Sequence, residues 1–307
     1  MKHFSLFLFA LLSYCSSTYA QQVCVTDDKS RQVCLEEPLK RIISLSPGST
    51  ELIYASGAGS RVIAADDHSD YPPEVKSVEH IGGFPNINIE AIAALKPDAV
   101  IAWAGGNNPK ATAKLESIGI RVFYIDPISF KDISSVLRRL GLFFGTEKVA
   151  NKAADDVDKR YQSIKLQYQP QKPVTVFYEV WSKPLMTTSR ELIIGQVIEV
   201  CGGKNIFADA VGRVPKVSME SLLGMNPEVI VSSDNLKDGK TIEQRWAKWK
   251  NLKAVKEGHL FTINGNLISR PTPRALDAAV ILCQQLESVR KESLVKASKT
   301  LKNTHKE

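Results

Sequence analysis

Histidine is scarce in this chain, and the short signatures of catalysis are missing. Beyond residue 20 only His68, His80, His259 and His305 occur, and there is no HExxH, GxSxG or GxxxxGKS/T run and no paired-carboxylate motif. Zinc peptidases, α/β-hydrolases and P-loop enzymes each need those residues at fixed spacing, so the gaps weigh against all three. Cysteine is rare too, five in 307 residues, with no CxxC and no Cys/His ligand spacing, which leaves a structural zinc site without support. The apolar run at residues 4–12 is too short for a membrane anchor. Basic residues outnumber acidic ones, 40 to 33, but no basic stripe interleaves with aromatics, so nucleic acid is not an expected partner.

What the chain does contain is a segment that occurs twice. Residues 87–103 read INIEAIAALKPDAVIAW and residues 217–233 read VSMESLLGMNPEVIVSS, and they superimpose without a gap. Each copy has a polar cap (Asn88, Ser218), a short apolar helix opening on a glutamate (Glu90, Glu220), a stop ending in proline, and a buried strand. Proline ends the helix because it lacks an N–H and clashes with the preceding turn. Two such units so far apart do not fit one small sheet. They predict two lobes, each with a parallel sheet flanked by helices, and therefore a cleft. The two glutamates sit where a helix dipole favours an anion, which explains either one alone. Their pairing on similar elements adds the expectation of docking to a symmetric partner.

The first twenty residues have a basic start, an apolar run and small residues towards Ala20, which predicts a secretory signal (1–20) and export. Leu12-Ser13-Tyr14-Cys15 is a poor lipoprotein site because bulky Tyr14 stands where a small residue is wanted. Removal of residues 1–20 lowers the formal charge from +7 to +6, with the loss of Lys2, and leaves four cysteines. An even count suits an oxidising compartment. Residues 24–34 read as a hairpin whose polar turn sets Cys24 and Cys34 opposite each other. Cys201 and Cys283 would form the other pair, although four cysteines permit three connectivities and the sequence does not choose among them.

Between and around the repeats, strands alternate with helices. The organisation expected is an N-terminal lobe (21–145), a linking helix (146–168), a C-terminal lobe (169–290) and a basic tail (291–307), read as a solvated helix end. Residues 41–45 are a strand that SPGST turns into a helix from Glu51. Residues 146–168 have no Gly or Pro and an amphipathic charged pattern. A helix of roughly 22 residues would span about 33 Å, a strut across both lobes that limits hinge motion. Loops at the carboxyl ends of parallel strands are where such sheets bind ligands. Phe84, Trp103 and Trp181 fall in or beside those loops, where their rings suit a large flat ligand. For Trp103, at the end of an apolar strand, a plain core role is equally open. Asp66-Asp67-His68-Ser69-Asp70 suggests hard-metal ligands only loosely, because it lacks the spacing of a calcium loop, and a solvated loop is the default.

RIISLSPGSTELIYASG, HSDYPPEV, INIEAIAALKPDAVIAW, QVIEVCGGKNIF and KVSMESLL together resemble the periplasmic cobalamin-binding proteins of vitamin B12 ABC importers, which belong to the helix-strut class of solute-binding proteins. The likeness covers about residues 40–285. It implies a receptor, expected to be a monomer, that grips one corrinoid between its lobes and delivers it to permease subunits at the inner membrane. On this resemblance cobalamin is cargo, with no cofactor, no catalytic residue and no metal site. Position by position, His68 falls where the family has a tyrosine and Phe84 where it has a tryptophan, while Trp103 and Arg270 match. Met186 replaces a phenylalanine, Val214 a tryptophan and Asn266 an aspartate. Glu90 and Glu220 match the carboxylates that dock permease arginines, and Cys201 with Cys283 matches a disulfide. Ser46 and Ser49 join the ligand set of His68, Phe84, Trp103, Trp181, Met186, Asn266 and Arg270.

Other readings stay open. Haem- and siderophore-binding relatives share the LSP, LKPD and CGG-like patterns. For those, His68 or Tyr71 would serve haem iron, and Arg190, Arg213 and Arg270 a ferric siderophore. A secreted metal enzyme built on Asp66, Asp67, His68 and Asp70, or a purely structural envelope protein, are the remaining alternatives.

Overall fold

The computed structural model describes residues 22–234 and 239–304; the expected signal segment 1–20 and His305 lie outside them. Two parallel sheets dominate. The first has five strands in the spatial order Glu79–His80, Val62–Ala65, Ile42–Ser44, Ala99–Trp103 and Val122–Ile125. The second has four, in the order Gly203–Asn205, Val174–Glu179, Val229–Ser233 and Leu260–Ile263. Strands buried on both faces read as continuous apolar runs, and Ala99 to Ala102 are fully buried.

The duplicated segment folds alike in both lobes. Asn88 caps helix Ile89–Ala94 by accepting from Ala91 N–H, and Ser218 caps helix Met219–Met225 by accepting from Ser221 N–H. Matching residues Lys96 and Asn226 both adopt a left-handed backbone, with φ of 47° and 42°. The acidic residue after each proline then ties the helix exit to the neighbouring strand. Asp98 accepts from the N–H groups of Lys40 and Arg41, and Glu228 from that of Thr175. The repeat is thus one hydrogen-bonded device used twice.

Helix Glu147–Tyr168, 22 residues long, lies between the lobes in sequence and packs on helices of both. Its buried residues Ala150, Ala154, Val157 and Ile164 recur at helical spacing. It crosses helix Phe130–Phe144 closely at Gly141, where a Cβ would stand 2.5 Å from that of Ala150. Ser134 Oγ donates to Asp158 at 2.5 Å and Arg138 pairs with Asp155 and Asp158 along the same contact. Towards the second lobe Arg160 pairs with Asp277 at 2.6 Å. One apolar core runs continuously from the first lobe through this helix into the second, while each sheet keeps a separate core on its far face.

Two disulfides form, Cys24–Cys34 across the N-terminal hairpin and Cys201–Cys283 between the end of helix Ile193–Val200 and helix Ala275–Thr304. That last helix continues through 291–304, so the basic tail extends it without a break. One element differs from expectation: the first helix begins at Pro47, not at Glu51, and runs to Ala55. Proline at the first helical position loses only an N–H that has no intrahelical partner, and Ser46 caps the turn by accepting from Ser49 N–H. SPGST has turn chemistry, but here it is a helix start.

Candidate functional site

The carboxyl ends of the first sheet's strands carry Ser46, Asp66 to Asp70, Trp103 and Asp126, and they face the second lobe. Between the lobes lies a cavity of about 270 Å³ lined by Ser46, Ser49, Trp103 and Pro127 on one side and by Ser269, Arg270 and Pro271 on the other. Ser46 and Ser49 are buried, with their hydroxyls 2.7 Å apart. Both sit at the start of helix Pro47–Ala55, whose first turn opens on the cavity. Trp103 is half-buried; its Nε1 donates to Asp126 Oδ1 at 2.9 Å and its ring lies against Gly106, where a Cβ would come within 2.1 Å of it. The ring is therefore held by its edge and by one face.

Two sets of ionic contacts cross the cleft, one at each end of this cavity. At one end Glu51, with its side chain 2% exposed, accepts from Arg270 and Arg274 at 2.9 Å each and from Thr272 Oγ1 at 2.7 Å. Arg270 also reaches Asp70 at 2.5 Å, and Asn266 Nδ2 donates to Asp70 at 3.0 Å. At the other end Arg213 grips Asp126 through both of its terminal nitrogens, at 2.9 and 2.5 Å. The hydrogen bonds from the Asp126 carboxylate hold the Arg213 guanidinium above its ordinary range.

Of the residues singled out from sequence, Ser46, Ser49, Trp103 and Arg270 line one cavity, and Asn266 joins them through Asp70. His68 is exposed and contributes its carbonyl, which accepts weakly from Arg270 at 3.5 Å. Its ring flanks Gly83 in the hairpin that carries Phe84, itself 67% exposed. Trp181 and Met186 pair across a second-lobe hairpin and are not among the residues that line this cavity, with Trp181 Nε1 donating to Lys183 O. Glu90 and Glu220 are both exposed in the first turns of their helices. Val214 is half-buried beside Arg213.

Asp66 is buried at 2% exposure, and burial pushes its carboxyl pKa up while the Ser69 hydroxyl that donates to it pulls the other way. Asp67 accepts from Gly82 N–H, and Asp70 is engaged by Arg270 and Asn266. Among the described residues no group of three or more His, Cys, Asp or Glu side chains converges as a metal site. Sequence reasoning passed over Glu51 and Asp126. The position of Asp126, directly after an edge strand and opposite Gly105-Gly106, was the available signal.

A family profile describing periplasmic binding proteins matches residues 42–267. The vitamin B12-binding protein of Vibrio parahaemolyticus is 35% identical over 257 residues, 83% of this chain and 92% of that protein. Among solved structures, the periplasmic vitamin B12 binding protein BtuF of Vibrio cholerae is similar at 36% identity with a TM-score of 0.76, covering 83% of this chain and 99% of that one. A periplasmic heme-binding protein from Roseiflexus sp. RS-1 has a TM-score of 0.73 at 21% identity, over 81% of this chain and 98% of its own, which is a likeness of fold alone.

Proposed function

This chain belongs to the periplasmic binding protein family, and we propose that it captures cobalamin or a related corrinoid between its lobes and hands it to the permease of an ABC importer. It binds and releases its cargo unchanged. The observation that carries this reading is the interlobe cavity, where an indole fixed by Asp126 stands beside buried serine hydroxyls and a cross-cleft arginine. An aromatic face suits a corrin ring, and a few polar groups set its orientation. Phe84, Trp181 and Met186, on hairpins of opposite lobes, supply further apolar contact area once the lobes part around the ligand. His68, Asn266 and Arg270 supply the polar edge.

Glu90 and Glu220 serve as permease-docking knobs, one per lobe. The Glu220 backbone N–H and then the Ser218 hydroxyl hold the Glu220 carboxyl below its ordinary range, which favours its ionised form. Exposed charges of this kind steer association and fix register more than they add affinity. Residues 1–20 act as the export signal and the mature protein works as a monomer.

The geometry disfavours a siderophore site. Arg190, Arg213 and Arg270 each pair with a carboxylate, Asp209, Asp126 and Glu51 respectively, instead of converging on open space. Tyr71 lies under the Arg274 guanidinium, 3.8 Å from its ring centroid, which engages it away from an iron ligand's role. Calorimetric titration of the mature protein with cyanocobalamin, haemin and a ferric hydroxamate decides the matter. Tight one-to-one binding of cyanocobalamin is expected; tight binding of either other ligand without it overturns the reading.

A further inference from the structure

We propose that Asp126 and Arg213 form a latch that holds the empty cleft shut and must break before ligand enters, an inference that rests on the corrinoid reading. Asp126 belongs to the first lobe and Arg213 to the second, and their two hydrogen bonds span the cleft at the end opposite Glu51. The chain makes room for this contact. A Cβ on Gly105 would stand 2.0 Å from Arg213 Nη1 and 2.7 Å from Asp126 Oδ1, so the guanidinium passes through a slot that only glycine leaves open. Asp126 is itself braced from behind: its N–H donates to Asp28 of the N-terminal hairpin at 2.6 Å, and Asp28 pairs with Arg139 at 2.7 Å.

With both ionic contacts made, the cavity between them holds about 270 Å³. Pockets for drug-sized ligands occupy roughly 300–1,000 Å³, and a corrinoid with its amide arms and nucleotide is larger than those ligands. A corrinoid seated wholly between the two contacts would therefore need the lobes further apart. The Glu51 end is buried and multiply bonded, whereas Arg213 and Asp126 keep 31% and 18% of their side-chain surface in solvent. The latch is the contact that water and salt reach, so it is the one that yields. The same Asp126 oxygen accepts from Trp103 Nε1 and from Arg213 Nη1, so opening the latch leaves the indole with an acceptor no longer shared. Ring orientation in the site is thereby coupled to cleft opening.

The binding-competent fraction sets apparent affinity. A partly exposed ion pair shifts such an equilibrium by about twofold to fivefold, and salt weakens it. Stopped-flow binding of cyanocobalamin to Arg213→Ala and Gly105→Ala should show association rates about twofold to fivefold above wild type at low salt. Raising the salt should speed association in wild type and leave both variants flat. Unchanged or slower association with faster dissociation would overturn the proposal, because the pair would then hold the loaded state. In the ligand-free protein, pulsed-EPR distances between labels at Lys114→Cys and Lys204→Cys should lengthen and broaden when Arg213→Ala is added. Identical distributions would also overturn the latch. If wild type binds no cobalamin the functional reading fails, while the EPR arm still decides the latch.

Discussion

Glu51 and Asp126 are both first-lobe carboxylates that bind second-lobe arginines across the same cleft, yet their surroundings differ. Glu51 is shut away from water and takes three donors, from Arg270, Arg274 and Thr272. Asp126 is partly wet and meets one arginine. A buried carboxylate with a full set of donors is costly to strip of any of them, because the charge left behind cannot be resolvated. A partly exposed pair is cheaper to break, since water can reach each partner. Two contacts of similar chemistry thus give a pin at one end of the cleft and a latch at the other. The continuous apolar core through helix Glu147–Tyr168 puts further rigidity behind the pin.

The largest effect expected comes from breaking the pin. Glu51→Ala leaves Arg274 and Thr272 without their shared acceptor and Arg270 with Asp70 alone, and should cost about 3–5 kcal/mol in denaturant unfolding. A loss below about 1 kcal/mol, the range of an exposed pair, would erase the distinction between the two ends.

Asp66 is a buried carboxylate of a third kind, with the Ser69 hydroxyl and the His68 backbone N–H as donors and only the nearby His68 ring to offset its charge. Burial raises its folded pKa above the unfolded one. The fold therefore favours the protonated form, and stability falls as pH climbs through the ordinary carboxylate range to the raised value. Asp66→Asn keeps the acceptor for Ser69 and removes that penalty. Its melting midpoint should exceed wild type by about 2 °C at pH 7.5 and match it near pH 3. A variant less stable than wild type at pH 7.5 would mean that the ionised form is stabilised after all.

Glu90 and Glu220 stand at the far end of the scale, as exposed carboxylates in the first turns of their helices. Reversing both to lysine should lower melting slightly, because the helix N-termini favour an anion, leave soluble affinity for cobalamin unchanged and abolish uptake in cells. Normal uptake would remove the docking role.

The duplicated lobe was legible in the sequence because its parts are local. A cap, a first-turn glutamate, a proline stop and an apolar strand lie within seventeen residues, and both copies fold alike down to the left-handed backbone at Lys96 and Asn226. The strut was legible too, as an uninterrupted amphipathic run. The cross-cleft contacts were not. Arg213 stands 87 residues from Asp126 and Arg270 stands 219 from Glu51, and only the packing of one lobe on the other brings them together. The start at Pro47 was missed because Ser, Pro and Gly serve turns and helix caps equally, and the residues downstream decide between the two. Gly105-Gly106 read as a loop, while its physical meaning, space for a guanidinium and an indole, depends on side chains that arrive from elsewhere.

We propose that one corrinoid binds between the lobes against Trp103. Calorimetric titration of cyanocobalamin into wild type and Trp103→Ala tests it most directly. One site is predicted in wild type, with affinity lowered at least about tenfold in the variant, the loss expected for removing a stacked aromatic anchor. Equal affinity in the two proteins would contradict it.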